Sequence, residues 1–252
     1  MKPMTGIGLE WYKCRRRQVP LVCLGLLGAQ VVWMGVFLLR QEQEDLAQGW
    51  MLLLYNLALV DAIMLPLTVA VLASRNCEGE HKGSTWKLLE TMVTPGQLYA
   101  AKLGWGTVVL AVLLLARSGL FIALGLLLDL PGGVPWGRWG WFTLISLAVS
   151  LALYTLQQGL SLRFANQAVA LVVGLCGSFL GLLSLLFPVG IQRCFPWGYY
   201  GLLLLVQMHW EEATRITTFS WRTPEPLDVF LLVVWWVAFG VIGYGLFARK
   251  EE

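Results

Sequence analysis

The sequence predicts an all-α membrane protein with six transmembrane helices, and three observations carry that expectation. Hydrophobic residues make up 58% of the 252 positions against 13% charged, a balance that one soluble core of this length has no means to hide. Apolar runs of roughly 20 residues, the length needed to cross about 30 Å of hydrocarbon, recur along the chain. Lys and Arg fall unevenly between the connections, as they do when one side of a bilayer retains them.

The first apolar run, 19–39, follows the basic stretch Lys13-Cys14-Arg15-Arg16-Arg17. Its apolar part is longer than a signal-peptide core and no small-residue cleavage site follows, so it reads as a retained span. Spans at 51–73, 107–128, 139–162 and 168–187 follow, and a shorter sixth covers 229–247. Six spans put both termini on one side. That side carries Lys2, Lys13, Arg15, Arg16, Arg17, Arg75, Lys82, Lys87, Lys102, Arg163, Arg249 and Lys250, twelve of the 18 basic residues. It is therefore expected to be cytoplasmic. Arg40, Arg138, Arg193, Arg215 and Arg222 fall on the other side, where Trp50, Trp136, Trp139, Trp141 and Trp197 mark headgroup level. No repeat or linker divides the chain, so residues 1–252 read as a single transmembrane domain.

Two connections are too long to be turns. The outer one, 188–228, contains "GYYGLLLLVQMHW", whose apolar part at 201–208 is too short to cross a bilayer. It is expected to form an interfacial or re-entrant segment, with Tyr199, Tyr200 and Trp210 at headgroup level. The cytoplasmic one, 78–98, is helix-prone. From Ser84 to Val93, residues Trp86, Leu88, Leu89, Met92 and Val93 fall on one arc and Lys87, Glu90 and Thr91 on the other, the signature of a short amphipathic helix. Ser84 or Thr85 caps its start; Thr94-Pro95 stops it, and a helix resumes from Gln97 into the third span. On residues alone it either rests on lipid, with Lys82 and Lys87 near anionic headgroups, or docks on a protein.

Several chemistries are excluded or disfavoured. The five cysteines are scattered without a Cys-x-x-Cys pair, which leaves no disulfide framework or zinc site. "HKGST" places lysine before glycine, the wrong order for a phosphate-binding P-loop. "HWEEATR" is one residue short of the Glu-Glu-x-x-x-Arg signature of intramembrane proteases, and His81 and His209 are expected on opposite sides of the membrane. No basic patch interleaved with aromatics points to nucleic acid. Inside the spans two ionisable residues stand out, Asp61 and Arg117, each about ten residues from an outer span end and hence at a similar depth of roughly 15 Å. A charge there is costly unless paired, so the two are expected to form an intramembrane pair.

Glu78, Glu80, Lys82-Gly83-Ser84-Thr85-Trp86-Lys87-Leu88-Leu89, then Pro95, Leu98-Tyr99 and Lys102, resembles the segment after the second span in ABC-2 type permeases. The chain length, the basic amino terminus and the long outer connection are also similar to that family, and within it to permeases of lantibiotic-immunity and bacitracin-resistance exporters. The resemblance implies a permease subunit of the bacterial cell membrane without its own nucleotide site. Its ATP and Mg would sit on two copies of a separate ABC ATP-binding subunit. A second permease, identical or homologous, would complete the complex. Glu78, Glu80, Lys82, Trp86, Lys87 and Leu89 are the implied coupling contacts to the ATPase. Tyr199, Tyr200, Trp210 and Glu211 become candidate outer contacts for an amphipathic peptide cargo. The competing expectations are a non-transporting membrane scaffold or regulatory subunit, and an exporter of another lipid-linked or small amphipathic molecule.

Overall fold

The computed structural model describes residues 8, 10–13, 19–83, 94–211 and 216–248. Six apolar helices carry the architecture: α1 (Val19–Leu39), α2 (Trp50–Lys82), α3 (Pro95–Leu127), α4 (Trp136–Arg163), α5 (Ala168–Ser184) and α6 (Pro226–Ala248). All except α5 are long and apolar enough to cross a membrane. α5 has 17 residues, about 25 Å, and ends before the expected limit at 187. Its last amides tighten into short turns, Leu186 donating to the Leu183 carbonyl and Phe187 to that of Ser184. Pro188 then holds Phe187 out of the helical region.

α2 and α3 differ most from expectation. Each has 33 residues, about 50 Å of helix, some 20 Å more than the hydrocarbon thickness requires. Hydropathy falls after residue 73, but α2 continues because its polar part is itself two-faced. Ser74, Asn76, Cys77 and Glu80 are buried, while Arg75–Glu78 (3.0 Å) and Glu78–Lys82 (2.6 Å) pair at helical spacing on the outer face. α3 starts at Pro95, two residues earlier than expected. Proline suits the first helical position, where its missing N–H costs nothing. Thr94 and Gln97 complete a reciprocal capping box.

The bundle has two ends, one marked by Lys82, Pro95 and Arg163, the other by Trp50, Leu127 and Trp136. Its core runs through Ala62, Val69, Ala73, Val149, Ala152 and Tyr154, and a second cluster near the Trp50 end joins Leu53, Leu57, Phe121, Trp139 and Phe142. α4 and α6 approach so closely that a Cβ on Gly159 would collide with the Gly243 backbone. We expect Gly159→Ala to cost about 1–3 kcal/mol, the usual range for overpacking, read as a lower thermal midpoint in detergent. Gly245→Ala, which meets nothing within 4 Å, should leave the midpoint unchanged.

The 188–228 connection holds the only two strands among the described residues. After short turns at Val189–Gln192 and Pro196–Gly198, the helical turn Tyr199–Leu202 packs into the core. Strand β1 (Val206–Glu211) then pairs antiparallel with β2 (Ile216–Trp221). Opposed pairs Val206↔Trp221 and Met208↔Phe219 put apolar residues on one hairpin face. That face seats on α2 through Phe219 against Tyr55, ring centroids 5.2 Å apart. Sequence reasoning expected an interfacial or re-entrant segment here; the chain instead combines an inward-packed turn with a projecting hairpin.

Candidate functional site

Two buried polar clusters lie on α2 and α3, one at mid-bundle and one at the Lys82 end. At mid-bundle, a guanidinium nitrogen of Arg117 donates to Asp61 Oδ2, and Gln30 Nε2 on α1 donates to Asp61 Oδ1 at 2.6 Å. All three side chains are buried. Arg117 lies over the rings of Phe121 and Phe142, 5.7 and 5.5 Å from their centroids. Those rings supply π-faces to the cation, but its Nε and Nη1 have no hydrogen-bond partner among the described residues. One carboxylate thus ties α1, α2 and α3 together. Gln30 was not singled out from sequence, because one amide in an apolar run carries no partner signal.

At the Lys82 end, four charges of the described residues, two of each sign, form a ring. Lys102 Nζ on α3 reaches Glu10 Oε2 (3.1 Å) and Glu80 Oε1 (3.1 Å), and donates to the Asn76 carbonyl at 2.8 Å. Lys13 Nζ bridges the same two carboxylates at 2.8 and 3.0 Å. Glu10, Glu80 and Lys102 are each at most 2% exposed. Asn76 Nδ2 donates to the Tyr154 hydroxyl (3.0 Å), which in turn donates to the Lys102 carbonyl (3.3 Å). Tyr154 reaches this position across Gly106, where a Cβ would collide with the phenol ring. The result joins residues 10–13, α2, α3 and α4 at one level.

These positions settle where the sequence-derived candidates lie. Trp86, Lys87 and Leu89, with the rest of 84–93, lie outside the described residues. Glu78 and Lys82 pair on the outer face of α2, with Lys82 76% exposed. Glu80, expected as a coupling contact, faces inward and is held by Lys13 and Lys102, because it lies on the buried arc of the extended α2. Tyr199 and Tyr200 were expected at headgroup level, as candidate outer contacts. Both are buried, Tyr199 donating to the Arg193 carbonyl (3.1 Å) and Tyr200 sharing a hydrogen bond with Ser150 at 2.9 Å. Burial pushes the Tyr199 hydroxyl up to about 12, so it stays a proton donor. Trp210 and Glu211 are exposed on β1. His81 sits in the last turn of α2 and His209 on the hairpin at the other end.

The fold defines a polytopic helical membrane protein whose polar side chains tie helices together, and no group of three His, Cys, Asp or Glu among the described residues could hold a metal. Residues 7–181 match the family described as ABC-2 family transporter protein. The chain belongs to that family and is the membrane component of an ABC transporter, a transport subunit that is not itself catalytic. Members generally work with an ABC ATP-binding subunit. Among curated proteins no sequence matches the chain.

Proposed function

We propose that this chain is the membrane-spanning subunit of an ATP-driven exporter and that residues 84–93 are its docking element for the ATPase. The observation that supports this most is the ring of Glu10, Lys13, Glu80 and Lys102. It locks together the two helices that flank residues 84–93, so a force applied there would move α2 and α3 as one body. Two copies of the ATPase subunit and a second permease, identical or homologous, complete the machine. ATP and Mg belong to the ATPase. Both chain termini and the docking element lie on the cytoplasmic side of a bacterial cell membrane.

The likeness of segment 78–102 and of the general layout to lantibiotic-immunity permeases supports an amphipathic antimicrobial peptide as cargo, removed from the bilayer for self-protection. Trp210 and Glu211, exposed on the hairpin, are its contacts at the far end. A buried aromatic anchor dominates many protein interfaces, and Trp86 is the aromatic on the apolar arc of the docking element. We expect Trp86→Ala to lower ATP-driven protection against such a peptide by about tenfold or more, corresponding to about 1.4 kcal/mol or more of coupling, with membrane levels unchanged. Co-purification of the ATP-binding subunit should fall in parallel. Full protection and full co-purification in that variant would overturn the docking assignment, and failure of any ATPase to co-purify with the parent chain would favour the scaffold reading.

A further inference from the structure

We propose that the cleft between the first turns of α4 and α6 and the base of the hairpin binds the headgroup of an anionic phospholipid through Arg138 and Arg222. The cleft has a volume of about 690 Å³ and is lined by both arginines together with Trp141, Leu205, Trp221 and Val229. Arg138 stacks on Trp221, its guanidinium carbon 3.9 Å from the ring centroid. Stacking uses the face of the guanidinium and leaves its N–H edge free for a planar or tetrahedral oxyanion. Arg222 is held by its backbone, whose N–H donates to the Leu205 carbonyl at 2.7 Å.

The two positive charges have no counter-ion among the described residues. Glu225 and Asp228, the acids nearest Arg222 in sequence, are both bound by Arg193, with Asp228 Oδ1 2.6 Å from its Nε. The positive dipole ends of α4 and α6 add to the same sign. A phosphodiester offers the oxygens that paired arginine forks bind.

The apolar side of the cleft identifies the rest of the ligand. Trp141 continues to Leu144 and Val229 to Val233, at three- and four-residue spacing that keeps each pair on one helix face. Leu144 and Val233 are 57% and 49% exposed, on helices long enough to cross a membrane. A ligand that fills both parts is charged at one end and hydrocarbon at the other, and the source in contact with those faces is membrane lipid. A zwitterionic headgroup would bring an ammonium against the arginines, so the preference is for net negative charge. This site does not depend on the transport reading above.

Native mass spectrometry of the full-length protein in mild detergent, with phosphatidylglycerol and phosphatidylcholine of identical chains, tests the assignment. The parent is expected to hold phosphatidylglycerol about tenfold more tightly, a difference two charge-assisted contacts readily supply. Arg138→Gln with Arg222→Gln should abolish the preference. Arg222→Gln alone, which leaves the Trp221 stack intact, should weaken binding about fivefold and decides the matter if the double variant does not fold. Arg40→Gln, at the same end but outside the cleft, should change nothing. Equal retention of both lipids by the parent, an unchanged Arg222→Gln, or equal loss in Arg40→Gln would overturn the proposal. So would displacement of the lipid by glycerol phosphate at matched concentration, because a free anion would then suffice.

Discussion

Replacing Lys102 by Met is expected to destabilise the protein by about 3–5 kcal/mol, the cost of removing one partner from a buried ion pair. The side chain is fully buried and carries half of the positive charge in the ring. Without it, Glu10 and Glu80 each lose a counter-charge, and the Asn76 carbonyl loses the Lys102 ammonium as donor. For a chain of this size the loss corresponds to a fall of roughly 10 °C in thermal midpoint, measurable by tryptophan fluorescence or thermal shift in detergent. The charge count predicts its own rescue. Adding Glu80→Gln restores a neutral pair, Glu10 with Lys13, and should recover roughly half of the loss. Lys102→Met at parental stability would show that the ring is not a stabilising junction. Lys102→Met and the double variant falling equally would place the loss in packing rather than charge.

That ring also marks the limit of what sequence reading reached. Membrane residence and the order of the apolar helices were legible, because hydropathy over about 20 residues reports a bilayer crossing directly. The extension of α2 past residue 73 was not, since the signal changes there from uniform hydropathy to amphipathic periodicity. Read at helical spacing, Asn76, Cys77 and Glu80 form the buried arc and Arg75, Glu78 and Lys82 the paired outer one. The family resemblance implied Glu80 as a coupling contact, and its partners Lys13 and Lys102 are distant in sequence. The hairpin did leave a trace. Val206, Met208 and Trp210 alternate with Gln207, His209 and Glu211 at period two, and Ile216–Trp221 is rich in β-branched and aromatic residues. A short apolar run inside a membrane protein drew attention to length and away from that alternation. Asp61 and Arg117 were found from depth alone, which works because the interior of a bilayer leaves few partners for a charge.

The mid-bundle pair gives the second large effect. Arg117→Met alone should cost about 3–5 kcal/mol, because it leaves the Asp61 carboxylate buried with only Gln30 as donor. Asp61→Leu alone should cost as much, stranding a guanidinium between Phe121 and Phe142. The double variant Asp61→Leu/Arg117→Met removes both charges and should return to within about 1–2 kcal/mol of the parent, since apolar replacement of a whole buried pair is often neutral or stabilising. Gln30 then faces a leucine, a smaller penalty because an amide is neutral. This recovery separates two roles for the pair. If its task is to hold α1, α2 and α3 in register, the rescued variant should also regain ATP-driven export in reconstituted vesicles. A double variant that unfolds at the parental temperature yet exports nothing would show that a charge at this depth takes part in the transport cycle. We expect the first result, because Asp61 and Arg117 are buried and paired with each other, with Gln30 donating to the second carboxylate oxygen, an arrangement that neutralises charge instead of presenting it to a passing ligand.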